Sequence, residues 1–404
     1  MSSVRSRVFT SAVFFCHAAL FAAWTPHIPG IKSALRLGDP ALGVALLGAP
    51  AGSVVAMFVA GAAVSRFGSA ATVRLTLVGY VLSPLALGAG AGATPEGLFA
   101  VLVVWGAFQG SFDVAMNSHA AGVERAYGRP IFTSFHAYWS LGGVAGAALG
   151  ATAVAAGVGM TAQFLVMGTL VAAVLLPASR WAAATDVEDE DGMTRSRRIA
   201  RPTRPLLVLG TLAFCALLCE GSVADWSAVL MRDSLGAAAG VAGLGYACYS
   251  VGMLGSRAGG DRLVRWGGPT WAIRCGTAVS GVALLVGLAV GVPVVALAAL
   301  AVFGLGLGVV TPSILGASSR IPGQPGGPAL AAVTAFGWAG FVCGPPLIGM
   351  LSGFVGLRAA MGVVVLLCGV VCVAAGSARI QPVAGREASR GPARPTPAGG
   401  PRRR

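Results

Sequence analysis

The chain has 404 residues, of which 56% are hydrophobic and only 10% are charged. Soluble domains carry about 25% charged residues, so this chain has too few charges to cover a water-facing surface. The composition therefore excludes a chain of ordinary soluble domains, and it predicts a protein surrounded mainly by lipid despite a formal net charge of +14.

Twelve apolar segments are long enough to cross a bilayer, which takes about 20 residues. In chain order we predict spans over 8–30, 40–65, 71–93, 96–120, 131–157, 160–180, 205–231, 238–258, 270–290, 292–317, 327–352 and 356–376. The predicted fold is an all-α membrane protein with twelve transmembrane helices in two pseudo-symmetric six-helix bundles.

The predicted bundles are residues 1–182 and 205–376. Residues 183–204 hold a run of acids followed by arginines, which predicts a cytoplasmic linker between the bundles. Residues 377–404 are rich in proline, glycine and arginine, and this composition is typical of a disordered basic tail.

The orientation follows from where the basic residues fall. With the N-terminus in the cytoplasm, only Lys32, Arg36, Arg232 and Arg358 of the 28 basic residues lie outside. Basic residues are retained on the cytoplasmic side of membrane proteins. We therefore predict a multi-pass protein of the cell membrane with both termini in the cytoplasm. The positive charge then needs no nucleic-acid partner.

Residues 198 positions apart match in three regions of the two halves. The matches are Leu37-Gly38 with Leu235-Gly236, Gly106 and Gly110 with Gly304 and Gly308, and Gly142 and Gly146 with Gly340 and Gly344. A common offset in separate regions indicates duplication of a six-helix unit. Parallel repeats of this kind bind solute between the halves, near the middle of the bilayer.

Two loop segments carry a recognisable pattern. After the eighth predicted span, segment 255–265 has a glycine, then Asp261-Arg262, then further bases. After the second span, segment 61–68 keeps the glycines and Arg66 but has Ser65 in place of the usual aspartate. The pattern resembles the loop signature of the major facilitator superfamily. The resemblance implies a gating role for Asp261, Arg262 and Arg66, without a full charge latch in the first half.

Four further stretches resemble the YbjJ-type and fucose-permease-like branch of that superfamily: 113–117, 128–143, 220–227 and 344–349. They sample both halves of the chain. The resemblance implies a secondary active transporter that works by alternating access. It does not imply a substrate, since the branch contains sugar carriers alongside transporters of unknown substrate.

Acids inside the predicted spans are candidates for the transport pathway, because charge within a membrane is costly and usually functional. The fourth span places Gln109, Asp113 and Asn117 on one helix face, where they either line a cavity or only join helices. The seventh span holds Glu220 near its middle and Asp225 toward its outer end. Glu220 either binds a proton or solute hydroxyl, or pairs with a histidine or arginine of the cavity wall.

Two of the four histidines are candidates, His17 in the first span and His136 in the fifth, with Trp139 beside His136. Each of the two is a candidate for the pathway or a polar packing contact. His27 and His119 lie near the ends of predicted spans and are set aside. A carboxylate removed from water binds a proton more readily. Asp113 or Glu220 could thus take up a proton together with the solute.

The favoured function is therefore proton-coupled symport of a sugar-like or other small polar solute. The alternative is proton-antiport efflux of a drug or secondary metabolite, although the fifth span lacks the Gly-Pro pair common in such antiporters. A receptor or scaffold is a third possibility, which the intramembrane acids disfavour. We expect no enzyme activity, cofactor or metal, and we expect a monomer in the lipid bilayer.

Overall fold

The computed structural model describes residues 2–88, 94–129, 131–182, 201–322, 324 and 326–378, and these contain helices and turns without strands. The described part of the chain forms twelve long helical elements. In the first half they are α1 Val4–Ala34, α2 Asp39–Phe67, α3 Ser69–Leu87, α4 Pro95–Tyr127, α5 Phe132–Ala155 and α6 Met160–Trp181. In the second half they are α7 Arg204–Ser234, α8 Ala239–Gly267, α9 Pro269–Val290, α10 Pro293–Ser318, α11 Gly326–Val355 and α12 Leu357–Ser377.

Several of these elements are interrupted. α1 contains a short 3-10 turn at Thr25–His27, α2 is divided after Leu46, and α10 is divided between Leu307 and Val310. α7 ends in a π-helical turn over Leu230–Ser234. α4 and α8 extend past the predicted limits of 120 and 258, so that both end well beyond the apolar part of their sequence.

In the described part of the chain, ten of the elements are long and apolar enough to cross a membrane on composition alone. The other two, α5 and α8, have 24 and 29 residues but are rich in glycine and polar side chains. The reason lies in their position, because α5 packs against α8 across the two halves and so faces protein more than lipid.

The helix contacts of the first half recur in the second. α1 packs on α5, α2 on α4 and α3 on both α4 and α6; correspondingly α7 packs on α11, α8 on α10 and α9 on both α10 and α12. Across the halves, α5 packs on α8 and α11 on the start of α2. The expected all-α membrane fold of two pseudo-symmetric bundles is thereby confirmed.

Glycines make the closest of these contacts possible. A Cβ added at Gly142 of α5 would lie 2.1 Å from the carbonyl oxygen of Phe15 in α1. In the second half, a Cβ at Gly340 of α11 would lie 2.0 Å from the carbonyl oxygen of Phe214 in α7. Small residues let membrane helices approach this closely. The glycine matches at offset 198 thus fall on equivalent helix contacts.

Polar contacts join the halves at one end of the bundle, here called the Lys32 end. Lys32 forms ion pairs of 2.5 Å with both Asp39 of the first half and Asp233 of the second. Ser352 of α11 also hydrogen-bonds to Asp39. The opposite end, which carries Arg66, is here called the Arg66 end.

The predicted domain limits stay predictions. The helices end at Trp181 and resume at Arg204, while residues 183–200 and the predicted tail from 379 onward lie outside the described residues.

Candidate functional site

Two acids lie near the middle of the long helices, Asp113 on α4 and Glu220 on α7. Both side chains are only half-buried, although each lies several turns from either end of its helix. Partly accessible acids at this depth indicate a polar space between the halves rather than a sealed apolar core.

Glu220 is held by its neighbours in the second half. Its Oε1 accepts a hydrogen bond of 2.9 Å from the hydroxyl of Thr311 on α10. The guanidinium of Arg257, on α8, attracts the Glu220 carboxylate through space. An Nη1 of the same guanidinium donates a 2.6 Å hydrogen bond to Ser140 on α5, in the first half. Four helices from both halves therefore converge on this charged cluster.

Asp113 lies within a cluster of the first half. Nδ2 of Asn117 donates a 2.9 Å hydrogen bond to the backbone oxygen of Asp113, one turn away on α4. Tyr80 of α3 lies close enough to Asp113 to interact with its charge. The Tyr80 hydroxyl donates a hydrogen bond to the backbone oxygen of His17. Gln109 is half-buried and lies one turn before Asp113 on α4. The structure thus brings three predicted residues onto one side of α4.

His17 sits in an aromatic enclosure. Its ring meets Tyr80, Phe112 and Trp139 edge-on at centroid distances of 5.0, 5.1 and 4.6 Å. The ring is buried and neither nitrogen forms a hydrogen bond. His17 and Trp139, predicted separately, are therefore direct neighbours.

His136 lies nearer the Arg66 end of α5. Its ring meets Phe14 edge-on at 5.2 Å and Phe132 at 5.3 Å, and its backbone oxygen accepts a hydrogen bond from Ser140. Because Ser140 also binds Arg257, His136 is one contact from the charged cluster. Asp225 is half-buried further along α7, toward the Lys32 end. Its charge interacts with the hydroxyl of Tyr246.

The residues predicted to gate the loops lie at the Arg66 end. Arg262 is exposed near the end of α8, and the exposed Arg66 lies over the ring of Phe67 at 5.3 Å. The side chain of Asp261 is outside the described part of the structure. The gating role of these three residues stays a prediction.

Sequence reasoning missed Arg257. It lies at the predicted end of the eighth span, where the sequence predicts it to be one of the cytoplasmic arginines that set the orientation. α8 continues ten residues further, to Gly267, or about 15 Å at 1.5 Å per residue. The available signal was the low apolar content of 257–267, which is compatible with either a loop or a helix that extends out of the membrane.

The other two membrane-end histidines have structural partners. His27 Nε2 lies 2.9 Å from Oε1 of Gln163, and His119 Nδ1 lies 3.3 Å from the hydroxyl of Ser69. Among the described residues, no group of three or more His, Cys, Asp or Glu side chains is arranged to hold a metal ion.

Two repeated six-helix bundles, joined at one end and enclosing a polar cluster at mid-depth, form the architecture of membrane transporters built from parallel repeats. Sequence comparison identifies the family. The chain belongs to the Major Facilitator Superfamily, whose family model matches residues 10–327. The expected superfamily is confirmed, and the chain is a membrane transporter of small solutes rather than an enzyme.

Its curated relatives are bacterial. The chain is 31% identical over 369 residues to an uncharacterised MFS-type transporter of Yersinia pestis, covering 90% of this chain and 93% of the relative. It is also 31% identical to the uncharacterised transporter y4wD of Sinorhizobium fredii, over 90% of this chain and 96% of the relative.

Solved structures share the fold. The nucleoside transporter NupG superposes with a TM-score of 0.70 at 12% identity, covering 93% of this chain and all of NupG. The fucose:proton symporter FucP of E. coli superposes with a TM-score of 0.61 at 15% identity, covering 94% of this chain and 99% of FucP. At such identities the likeness concerns the fold alone.

Proposed function

We propose that this transporter is a proton-coupled symporter of a sugar-like or other small polar solute, with Asp113 or Glu220 as the proton-binding group. The observation that carries the proposal is the Glu220 cluster. It places an acid at mid-depth, in reach of an arginine that hydrogen-bonds across the two halves.

The cluster suggests how proton binding is coupled to movement. An ionised Glu220 attracts Arg257, which lies between α7 of its own half and Ser140 of the other. A proton on Glu220 removes that attraction, since a neutral carboxyl exerts no net charge on the guanidinium. The contact between α8 and α5 then changes, and the halves rock around a solute bound between them.

The remaining predicted pathway residues have places in this proposal. Asn117 and Gln109 offer hydrogen-bonding groups beside Asp113, while Trp139 and His17 form an aromatic wall. Asp225 and His136 lie on either side of the Glu220 level. We propose that these groups bind the hydroxyls and apolar faces of the solute.

The orientation belongs to the same proposal. With both termini in the cytoplasm, the Lys32 end faces outward, and its ion pairs close the protein to the outside. We propose that the protein acts as a monomer in the cell membrane. The named activities of FucP and NupG, fucose:proton symport and nucleoside transport, are compatible with a small polar solute.

The test replaces each acid by its amide. The solute is chosen as the compound, from a panel of sugars and metabolites, that most raises the melting temperature of the purified protein. We expect Asp113→Asn or Glu220→Gln to abolish accumulation driven by a pH gradient in proteoliposomes, yet to retain exchange of labelled for unlabelled solute at equal pH.

Glu96→Gln is the matched control, because Glu96 is an exposed acid in the first turn of α4. It should accumulate solute like the unmodified protein. Accumulation that still follows the pH gradient in both the Asp113→Asn and the Glu220→Gln variants would contradict the proposal.

A further inference from the structure

An apolar groove runs along the lipid-facing side of the first half, between α3 and α6. Its volume is about 450 Å³. Val81, Leu82 and Leu85 form one wall, and Gly168, Ala172 and Ala173 belong to the other. The groove is separate from the Glu220 cluster, because its walls belong to α3 and α6 and the cluster lies on α5, α7, α8 and α10.

Small side chains on α6 create the groove. At Gly168, a Cβ would come within 2.6 Å of the Val81 side chain, so the helices are in close contact there. Beyond this point Ala172 and Ala173 leave a hollow, flanked by the exposed Leu165 and Leu176. The groove extends from Phe164 to Pro177, or about 20 Å of helix at 1.5 Å per residue.

One end of the groove is basic. Just past Pro177, Arg74 of α3 donates hydrogen bonds to the hydroxyl and the backbone oxygen of Ser179, at 3.0 and 2.9 Å. These bonds use Nε and one Nη2 hydrogen, so the other N–H groups of this exposed guanidinium remain available. Arg180 follows directly and is also exposed.

A third arginine lies nearby. Ser6 of α1 donates a 2.7 Å hydrogen bond to the backbone oxygen of Trp181, so the exposed Arg5 and Arg180 each adjoin one of two residues in contact. Apolar walls with arginines at one end match the shape and charge of a phospholipid that carries a negative headgroup.

We propose that this groove is a binding site for one anionic phospholipid, with an acyl chain between α3 and α6 and the phosphate at Arg74 and Arg180. The length of the groove exceeds half of a hydrocarbon core of about 30 Å, so one leaflet's acyl chain fits along it. Basic residues near the membrane surface attract anionic lipid. The site is separate from the solute pathway, and it does not depend on which end faces the cytoplasm.

The test is native mass spectrometry of the full chain, delipidated and titrated with phosphatidylglycerol or with phosphatidylcholine of the same acyl chains. We expect one phosphatidylglycerol to be retained more tightly than any phosphatidylcholine. The Arg74→Gln/Arg180→Gln variant should lose about 30-fold in phosphatidylglycerol affinity, since each arginine contributes about 1 kcal/mol. Arg125→Gln, at an exposed arginine on α4, is the control and should bind like the unmodified protein.

A second variant tests the acyl-chain part of the site. Ala173→Trp fills the groove without removing an arginine, so it should weaken retention of phosphatidylglycerol, whereas Leu170→Trp on an exposed face outside the groove should not. Equal retention of the two lipids, or unchanged phosphatidylglycerol affinity in the arginine or Ala173→Trp variants, would overturn the proposal. Melting temperatures verify that each variant is folded.

Discussion

Arg257 and Glu220 bring opposite charges together inside the membrane-spanning bundle. A single charge at the bilayer centre costs about 3 kcal/mol on insertion scales, so a charge at this depth needs compensation. Here the compensation is shared: the carboxylate has Thr311 and a nearby guanidinium, and the guanidinium has Ser140. The two charges therefore depend on each other for their stability in the fold.

The mutual dependence gives a prediction for stability. Arg257→Gln leaves the Glu220 carboxylate without its positive neighbour, and Glu220→Gln does the reverse. Both side chains are half-buried, so we expect each single variant to lose about 1–2 kcal/mol of stability, between the losses for exposed and for fully buried charge pairs, and the double variant to lose less than the sum. Thermal unfolding in detergent measures this, with Arg125→Gln as a surface control. Strictly additive losses would mean that the two charges do not interact.

At this scale the sequence predicted the acids but not the arginine. Asp113 and Glu220 lie near the middle of long, mostly apolar runs, so their depth is evident from position. Arg257 lies where an apolar run ends. Whether it lies in the bundle or in a cytoplasmic loop depends on how far α8 continues, and the sequence does not show that. The proximity of His17 to Trp139 was also beyond sequence reasoning, because it depends on how α1 packs against α5.

At the scale of the element, the apolar content of each helix reflects whether its surface is exposed or packed against other helices. Helices with largely exposed surfaces, such as α12, are apolar over most of their length, and this made most of the spans predictable. α5 and α8 are less apolar because they face each other and the polar cluster. The interruptions within α1, α2 and α10 were not predicted, because hydropathy does not distinguish a continuous helix from one with a short irregular turn.

The glycine contacts give a prediction for packing. Gly142→Ala would place a Cβ 2.1 Å from the Phe15 oxygen, so α1 and α5 must move apart. We expect a loss of about 1–3 kcal/mol, typical of overpacking. The control is Gly369→Ala in the interior of α12, where no atom lies within 4 Å of the added Cβ.

Gly369→Ala should instead be neutral or stabilising by up to about 1 kcal/mol, because alanine is the better helix former. Thermal unfolding and the monodispersity of the detergent-solubilised protein distinguish the two variants. An equal effect of both substitutions would mean that α1 and α5 are not in close contact at Gly142, which would contradict the prediction.

At the scale of the whole molecule, the two halves meet through different chemistry at different depths. At the Lys32 end, one ion pair, Lys32 with Asp233, and one hydrogen bond, Ser352 with Asp39, cross between the halves. At the centre, the polar contact between the halves is Arg257 with Ser140. Lys32 is the single lysine of the chain and binds one aspartate from each half. Breaking this contact should therefore favour separation of the halves at the Lys32 end.

Duplication made the architecture predictable from sequence, since the same offset relates glycines that form equivalent contacts in the two halves. The end at which the halves are joined was not predictable. It depends on Lys32 meeting Asp233, two residues 201 positions apart that no local pattern relates.

The most direct test of alternating access measures two distances between the halves by electron spin resonance. Spin labels at exposed positions Glu96 and Val294 report the Lys32 end, and labels at Arg125 and Arg320 report the Arg66 end, in a background without the native cysteines. We expect Lys32→Ala, compared with the unmodified Lys32, to lengthen the first distance and shorten the second. Distances that stay constant, or that change in the same direction at both ends, would contradict the account.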